Sequence, residues 1–109
     1  MQKNPLKKMV QKGVFALTGS EPFVLQTCMQ YAKEHNAHFV CEATVNQVNQ
    51  FGGYTGMKPK DYVNMVCEIA KRIDYPMDHI ILSGDHLGPF IWQNLPAEEA
   101  MNRSKELVR

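Results

Sequence analysis

The sequence predicts an α/β protein built on a parallel β-sheet. Short apolar segments with the composition of strands alternate with amphipathic segments that have the period of helices, which is the pattern of parallel sheets with right-handed crossover helices. The segments that follow the second and third strands are long, whereas the connections that lead into a strand are short. This asymmetry is expected when the functional site lies at the carboxyl ends of the strands.

The first strand and helix follow a predicted short helix at residues 6–12. VFALTG, residues 14–19, is a short apolar run with a turn signal at its end and is predicted to be a buried strand. Ser20 is the predicted N-cap of the next helix, and Pro22 fits its first turn, where the missing N–H costs nothing. This helix is predicted to end near Asn36. Its predicted inner face has apolar residues at helical spacing and consists of Leu25, Cys28, Met29 and Ala32.

The second strand is predicted at HFVCEA, residues 38–43. After a long loop, Pro59 opens a second helix. DYPMD, residues 74–78, is a predicted turn, and HIILSGD, residues 79–85, is the third strand. The predicted inner face of the second helix consists of Tyr62, Val66, Ile69 and Ile73, with Val63 and Ala70 beside it.

The last predicted elements are a loop at HLGPFIWQNL, residues 86–95, and a third helix that Pro96 starts. Glu98 and Glu99 lie near the positive end of this helix, where carboxylates are stabilising. Residues 90–92 are predicted to pack against the rim of the sheet. The predicted inner stripe of the third helix consists of Ala100, Met101, Ser104, Leu107 and Val108.

Composition narrows the function classes. The net charge of +1 provides no basic field for nucleic acid, and apolar runs of about five residues are too short to span a membrane. The basic N-terminus lacks the apolar stretch of a signal peptide, so a cytoplasmic protein is expected. The widely spaced Cys28, Cys41 and Cys67 form no CxxC motif and are interpreted as reduced, mostly buried thiols.

Two architectures fit this order of elements, a doubly wound open sheet and a (β/α)8 barrel. The first strand is not followed by GxGxxG, which disfavours the nucleotide-binding version of the open sheet. A whole barrel takes about 250 residues, or about 31 per unit. The 109 residues of this chain provide about three units on that basis, so we expect it to be a fragment of a longer protein.

Three charged or titratable residues stand where strands are predicted to end. Glu42 lies just past FVC near the end of the second strand, and Asp85 and His86 lie at the end of the third. Imidazole binds zinc, and an adjacent carboxylate can donate or accept a proton beside the metal. The alternatives are a structural hydrogen bond between Asp85 and His86, and a helix cap or lysine partner for Glu42. Successive strand residues point to opposite faces, so both members of the pair reach one site only if the backbone turns at about Gly84.

The loop EATVNQVNQFGGYTGMKP, residues 42–59, is long, glycine-rich and almost uncharged. Amides and glycine N–H groups can bind sugar hydroxyls and phosphate oxygens without burying a charge. The alternative is that they only hold the rim in shape. The candidate substrate-binding residues are Asn46, Gln47, Asn49, Gln50, Gly52 and Gly53.

Two motifs carry a family resemblance. EATVNQVNQFGGYTGM at residues 42–57 and IILSGDHLGP at residues 80–89, followed by Trp92, resemble the non-catalytic Z subunit of class II D-tagatose-1,6-bisphosphate aldolase, a family also described as tagatose-6-phosphate kinase. The likeness spans residues 13–109. A kinase is the least favoured activity, because the sequence lacks a glycine loop of the kind that cradles a nucleotide's phosphates.

The resemblance implies a TIM (β/α)8 barrel, of which residues 1–109 would be an incomplete N-terminal domain with about three β/α units. It implies a role in galactitol or N-acetylgalactosamine catabolism, within an oligomer whose catalytic Y subunit cleaves tagatose 1,6-bisphosphate with zinc. The subunit with this sequence would stabilise and activate that partner. A sugar phosphate is the implied ligand, with no nucleic acid and no membrane.

The resemblance also implies roles for single residues. Class II aldolases have Asp–His at the end of a barrel strand, so Asp85 would be a proton donor and His86 a zinc ligand. Further histidines would have to come from later strands, so this piece alone is not expected to be active. The alternative function is a metal-dependent sugar-phosphate aldolase or epimerase in its own right, using Glu42, Asp85 and His86.

The chain departs from the family pattern at two places. The first strand and turn usually read GICSVCSAHP, whereas this chain has GVFALTGSEP, with Phe15, Thr18 and Glu21 in place of Cys, Cys and a His or Asn. Phe90 replaces the Asn that usually follows GDHLGP. These departures indicate a divergent member of the family.

Overall fold

The structure, a computed structural model, describes residue 7 and residues 11–109. It confirms the predicted α/β class and the order of elements, and the sheet is parallel with strand order β1-β2-β3. The helix predicted at residues 6–12 lies largely outside the described residues. The elements are β1 (Phe15–Thr18), α1 (Pro22–Glu34), β2 (Phe39–Thr44), α2 (Pro59–Arg72), β3 (Ile80–Asp85) and α3 (Ala97–Val108).

The described helices pack on one face of the sheet. Phe39, Cys41 and Ala43 alternate along β2 with less buried residues, and they form one core with buried residues of α1 and α2. The carboxyl-terminal part of α3 lies along the same face, because Leu107 borders a groove with Ala43 of β2 and Leu82 of β3. The largest fully buried side chains of the core are Phe39, Leu25, Met29, Ile69, Val66 and Cys41.

The N-terminus of α1 differs from the prediction by one residue. Glu21, not Ser20, is the N-cap, and its carboxylate accepts a hydrogen bond from the Val24 backbone N–H at 2.8 Å. The reason is that Pro22 occupies the first helical position, which makes the residue immediately before it the cap. Pro59 takes the equivalent position in α2, as predicted.

The inner face of α3 is narrower than predicted. Ala100 and Ser104 are buried, and Leu107 is half-buried, but Met101 and Val108 are exposed. The reason is that α3 contacts the rest of the chain along one strip of i, i+4 and i+7 positions. A second small core joins Val45, Trp92 and Ala100 beneath the loops, so the predicted packing of Trp92 is confirmed.

The structure also tests the predictions made for the cysteines and for Phe90. The three cysteines are free thiols, as predicted, although only Cys41 is fully buried. Phe90, predicted to pack against the rim, is exposed because the 3₁₀ turn Pro89–Trp92 directs Trp92 into the core instead. Across the described ranges, no helix has both the length and the apolar character that crossing a bilayer requires.

Candidate functional site

The sheet face opposite the helices is polar toward the carboxyl ends of the strands. Strand register aligns Ala16 with Val40 and Ile81 near the strand starts, and Thr18 with Glu42 and Ser83 one pleat further on. Thr44 and Asp85 form the next pair on this face, two residues further along each strand. Neighbouring parallel strands lie about 4.8 Å apart, so each set forms a row of side chains across the sheet.

Glu42 is the charged centre of the middle row. The Thr18 hydroxyl donates a hydrogen bond to Glu42 Oε2 at 3.0 Å, so β1 orients the carboxylate on β2. Glu42 is half-buried and lies within β2, in agreement with the predicted strand at residues 38–43. The described contact of the Glu42 carboxylate is thus with Thr18, and the cap of α1 is Glu21.

Tyr62 of α2 fixes the backbone that carries this row. Its hydroxyl donates to the Gly19 carbonyl oxygen at 2.9 Å, lies 3.1 Å from the Glu42 carbonyl oxygen, and is 3.1 Å from Cys41 Sγ. The Gly19 N–H donates to the same Glu42 carbonyl at 2.9 Å. Burial, followed by the hydrogen bond with Cys41, raises the pKa of Tyr62. Burial likewise raises the pKa of the Cys41 thiol. Both groups therefore stay neutral and structural.

Asp85 and His86 occupy the end of β3. The strand runs through Asp85, as predicted, and the backbone turns at His86, which has a left-handed φ of 51°. The turn at about Gly84, on which a shared site for Asp85 and His86 was conditional, is not made. Gly84 stays extended on the helix side of the sheet, where a Cβ atom would lie 2.5 Å from Leu87 Cδ1. Asp85 Oδ2 and His86 Nε2 are 3.7 Å apart, and the His86 side chain is 81% exposed.

A zinc ion at His86 needs ligands beyond this pair. Zinc in proteins takes three or four protein ligands, and the described part of the chain has no cluster of three or more His, Cys, Asp or Glu side chains that could hold a metal. The described residues therefore do not form a zinc site by themselves. His86 is accessible enough to join one that other residues complete.

Two carboxamides of the loop at residues 44–57 bind the loop's own backbone. Asn49 is only 3% exposed. Its amide donates to the Val45 carbonyl at 2.7 Å, and its oxygen accepts from the Phe51 N–H at 2.8 Å. Gln47 Oε1 accepts from the Thr44 N–H at 2.9 Å. These contacts fold the loop into a fixed shape above β2.

The remaining residues of the amide set have different environments. Gln50 donates from Nε2 to the Arg103 carbonyl at 2.9 Å and so ties the loop to α3. Asn46 is exposed, and its side chain makes no hydrogen bond with another of the described residues. Gly53 has a φ of 55°, and a Cβ there would lie 2.5 Å from the Gln47 carbonyl oxygen. Of the four carboxamides, Asn46 is therefore the most available for a ligand.

Exposed aromatic side chains surround the carboxyl end of the sheet. Phe51 and Tyr54 in the loop after β2 are 61% and 72% exposed, and Phe90 after β3 is 73% exposed. Phe51 packs edge-on against Trp92 at 6.2 Å between ring centroids, and the Arg103 guanidinium lies 4.9 Å from its centroid. Exposed aromatic residues on a fixed loop are typical of protein interfaces.

Sequence reasoning missed the contributions of Thr18, Ser83 and Tyr62. Thr18 was noted only as a departure from the family pattern, and Tyr62 only as an apolar face residue. The sequence does contain a signal for the row of Thr18, Glu42 and Ser83. Each of these polar residues lies three or more residues into a predicted strand. Their alignment required the strand register, which the sequence alone does not provide.

The sequence matches, over residues 2–109, the profile of a family described as D-tagatose-1,6-bisphosphate aldolase subunit GatZ/KbaZ-like. Among solved structures, the chain is similar to the crystal structure of a probable tagatose 6 phosphate kinase from Sinorhizobium meliloti 1021, with 45% sequence identity and a TM-score of 0.84. The similarity covers 88% of this chain and 25% of that one. The chain thus spans about a quarter of the length of the structure that it matches.

Proposed function

Because this chain belongs to the GatZ/KbaZ-like family of tagatose-1,6-bisphosphate aldolase subunits, we propose that it is the N-terminal part of a non-catalytic subunit that stabilises and activates a class II tagatose-bisphosphate aldolase. The proposed setting is cytoplasmic galactitol or N-acetylgalactosamine catabolism. The family predicted from the two sequence motifs is confirmed. The observation that carries the proposal is the family match over residues 2–109.

The arrangement of the sheet supports a TIM barrel for the complete protein. The strands are parallel and lie in sequential order, and the described helices share one face. A doubly wound sheet has helices on both faces and reverses its strand order at a switch point. In a barrel the helices are outside, and the free face with Thr18, Glu42 and Ser83 becomes the interior.

The loop after β2 supports a role in binding a partner subunit. Asn49 and Gln47 hold the loop in shape, while Phe51 and Tyr54 remain exposed on it. A rigid loop that presents aromatic side chains loses little conformational entropy on binding. We therefore assign this loop to the contact with the catalytic subunit.

The alternative is an aldolase or epimerase that acts without a partner. It is favoured by the position of Asp85 and His86 at the end of β3, beside the row that contains Glu42. In that case Asp85 would transfer a proton and His86 would bind zinc, with further ligands from outside the described residues. A sugar phosphate would be the substrate.

One experiment separates the two functions. The complete protein is purified alone, its zinc content is measured, and cleavage of tagatose 1,6-bisphosphate is assayed with and without the catalytic subunit. The subunit proposal predicts cleavage that rises only when both are present. Bound zinc together with cleavage by the protein alone would support the alternative instead.

A further inference from the structure

Two histidines stack on each other at the amino end of the sheet. His38 and His79 immediately precede Phe39 and Ile80, which lie opposite each other in the register of β2 and β3. The two imidazole rings are nearly parallel, with 4.0 Å between their centroids and an interplanar angle of 21°. They lie at the end of the strands that is opposite to the candidate site, so the functions proposed above make no use of them.

The backbone holds both rings in this position. The hydroxyl of the buried Tyr75 donates to the carbonyl of Ala37, the residue before His38, at 2.6 Å. The Tyr75 ring packs edge-on against His79 at 5.8 Å between centroids. The His79 N–H donates to the Pro76 carbonyl at 3.0 Å, in the 3₁₀ turn that leads into β3. Because the chain is fixed on both sides of the pair, the rings separate only if a strand start moves.

The Nδ1 atom of His38 is buried and has no hydrogen-bond partner among the residues that the structure describes. A neutral imidazole can leave this nitrogen unprotonated, whereas an imidazolium has an N–H at both ring nitrogens. Protonation of His38 would therefore place a buried donor where the described chain offers no acceptor, which is costly. The surroundings of His38 thus favour its neutral form.

The charges around the pair do not compensate two imidazolium ions. Burial, followed by the charge of His79, lowers the pKa of His38; Asp78, in the turn before β3, acts in the opposite direction, and Lys12, before β1, acts in the same one. Tyr75 carries no charge, because burial raises its pKa to about 12. One proton on the pair brings no repulsion between the rings, whereas a second puts two like charges on rings with centroids 4.0 Å apart.

We propose that His38 and His79 form an acid-sensitive clamp between the starts of β2 and β3, which holds while at most one imidazole is protonated and opens when both are. At neutral pH the rings stack and the strand starts stay paired. In acid, the second proton introduces a repulsion that only a separation of the strand starts relieves.

The clamp depends on a contact between two residues of this chain and not on the exposure of either one. Closing a barrel around the sheet would bury the pair further, and a lower local dielectric strengthens the repulsion between like charges. The clamp goes beyond the proposed function, since it makes the fold itself respond to pH.

The first test follows the protonation of single histidines in the complete protein, by NMR of carbon-13-labelled imidazole groups. His79→Phe keeps an aromatic ring against His38 and Tyr75 but cannot be charged. In this variant His38 should become half-protonated at a pH at least about 0.7 unit higher than in the wild type, the shift that a unit charge about 4 Å away produces even in bulk water. The control His35→Phe removes a histidine of α1 that stacks on Tyr31 at 4.1 Å, and it should leave the titration of His38 unchanged.

The second test measures whether the strand starts open. Hydrogen exchange of the complete protein is compared in acid and at neutral pH as protection factors, so that the intrinsic pH dependence of exchange cancels. In the wild type, acid should lower the protection first at the starts of β2 and β3, by about fivefold or more for the same repulsion. His79→Phe should retain that protection, and His79→Gln replaces it in the test if the phenylalanine variant does not fold.

A double variant separates a clamp from two independent histidines. If the repulsion is shared, each of His38→Phe and His79→Phe removes it, so the double variant should gain clearly less resistance to acid unfolding than the sum of the two single gains. Additive gains would overturn the clamp. An unchanged titration of His38 in His79→Phe, or protection lost evenly across the sheet in acid, would overturn it as well. These measurements do not involve the catalytic subunit, so their failure would leave the proposed function in place.

Discussion

Replacing Tyr62 by Phe removes one hydroxyl group from a buried network and keeps the ring. The hydroxyl bridges α2 to the ends of β1 and β2 through the Gly19 carbonyl at 2.9 Å and Cys41 Sγ at 3.1 Å. The Glu42 carbonyl keeps its bond from the Gly19 N–H, but the Gly19 carbonyl loses its partner. An unsatisfied buried polar group costs about 1–3 kcal/mol. We therefore expect Tyr62→Phe to lower the free energy of unfolding by about that amount.

The assay is denaturant unfolding of the complete protein, with Tyr75→Phe as the matched control. Tyr75 is equally buried, and its hydroxyl donates to the Ala37 carbonyl at 2.6 Å, at the opposite end of the sheet. Both variants should be destabilised, because each removes a hydroxyl group that donates to a backbone carbonyl, Gly19 for Tyr62 and Ala37 for Tyr75. A Tyr62→Phe protein within 0.5 kcal/mol of wild type, a difference typical of surface changes, would refute this account of the network.

Three further predictions follow from single positions. Asn49→Ala should destabilise the protein by about 2 kcal/mol or more, because the Val45 carbonyl and the Phe51 N–H lose their partner. The control Asn46→Ala should change stability by less than about 0.5 kcal/mol. Equal shifts of the unfolding temperature in the two variants would contradict this prediction. Gly53→Ala should destabilise more than Gly56→Ala, because both have positive φ but only Gly53 faces backbone atoms at 2.5 Å. Burial, and then the neighbouring His79, lowers the pKa of His38 below its usual 6.5. The unfolded chain therefore binds a proton at this residue more readily than the folded protein does, and the free energy of unfolding should fall as the pH drops below about 6.5. His38→Gln should reduce that fall in a pH series of unfolding midpoints, and an unchanged pH profile would exclude the effect.

The helix starts and the order of elements along the chain were predictable because they depend on local chemistry. Pro22 and Pro59 each mark the first turn of a helix, and the structure places both there. Ser20 was a wrong choice of cap because composition favours serine, whereas the position of Pro22 selects Glu21. The left-handed turn at His86 was not predicted, because residues other than glycine seldom adopt a positive φ.

The site itself was only partly predictable. Glu42, Asp85 and His86 were identified from their places after apolar segments. Which side chains share a face depends on strand register, and register is set by contacts between distant segments. The roles of Thr18 and Ser83 therefore required the structure.

The proposed subunit role is tested most directly by titrating the catalytic subunit with the complete protein. The rate of tagatose 1,6-bisphosphate cleavage is followed at a fixed concentration of the catalytic subunit. We predict a saturable rise in rate and a higher unfolding temperature of the mixture, with no cleavage by the complete protein alone. A flat rate across the titration, with no complex detected by size-exclusion chromatography, would contradict the proposal.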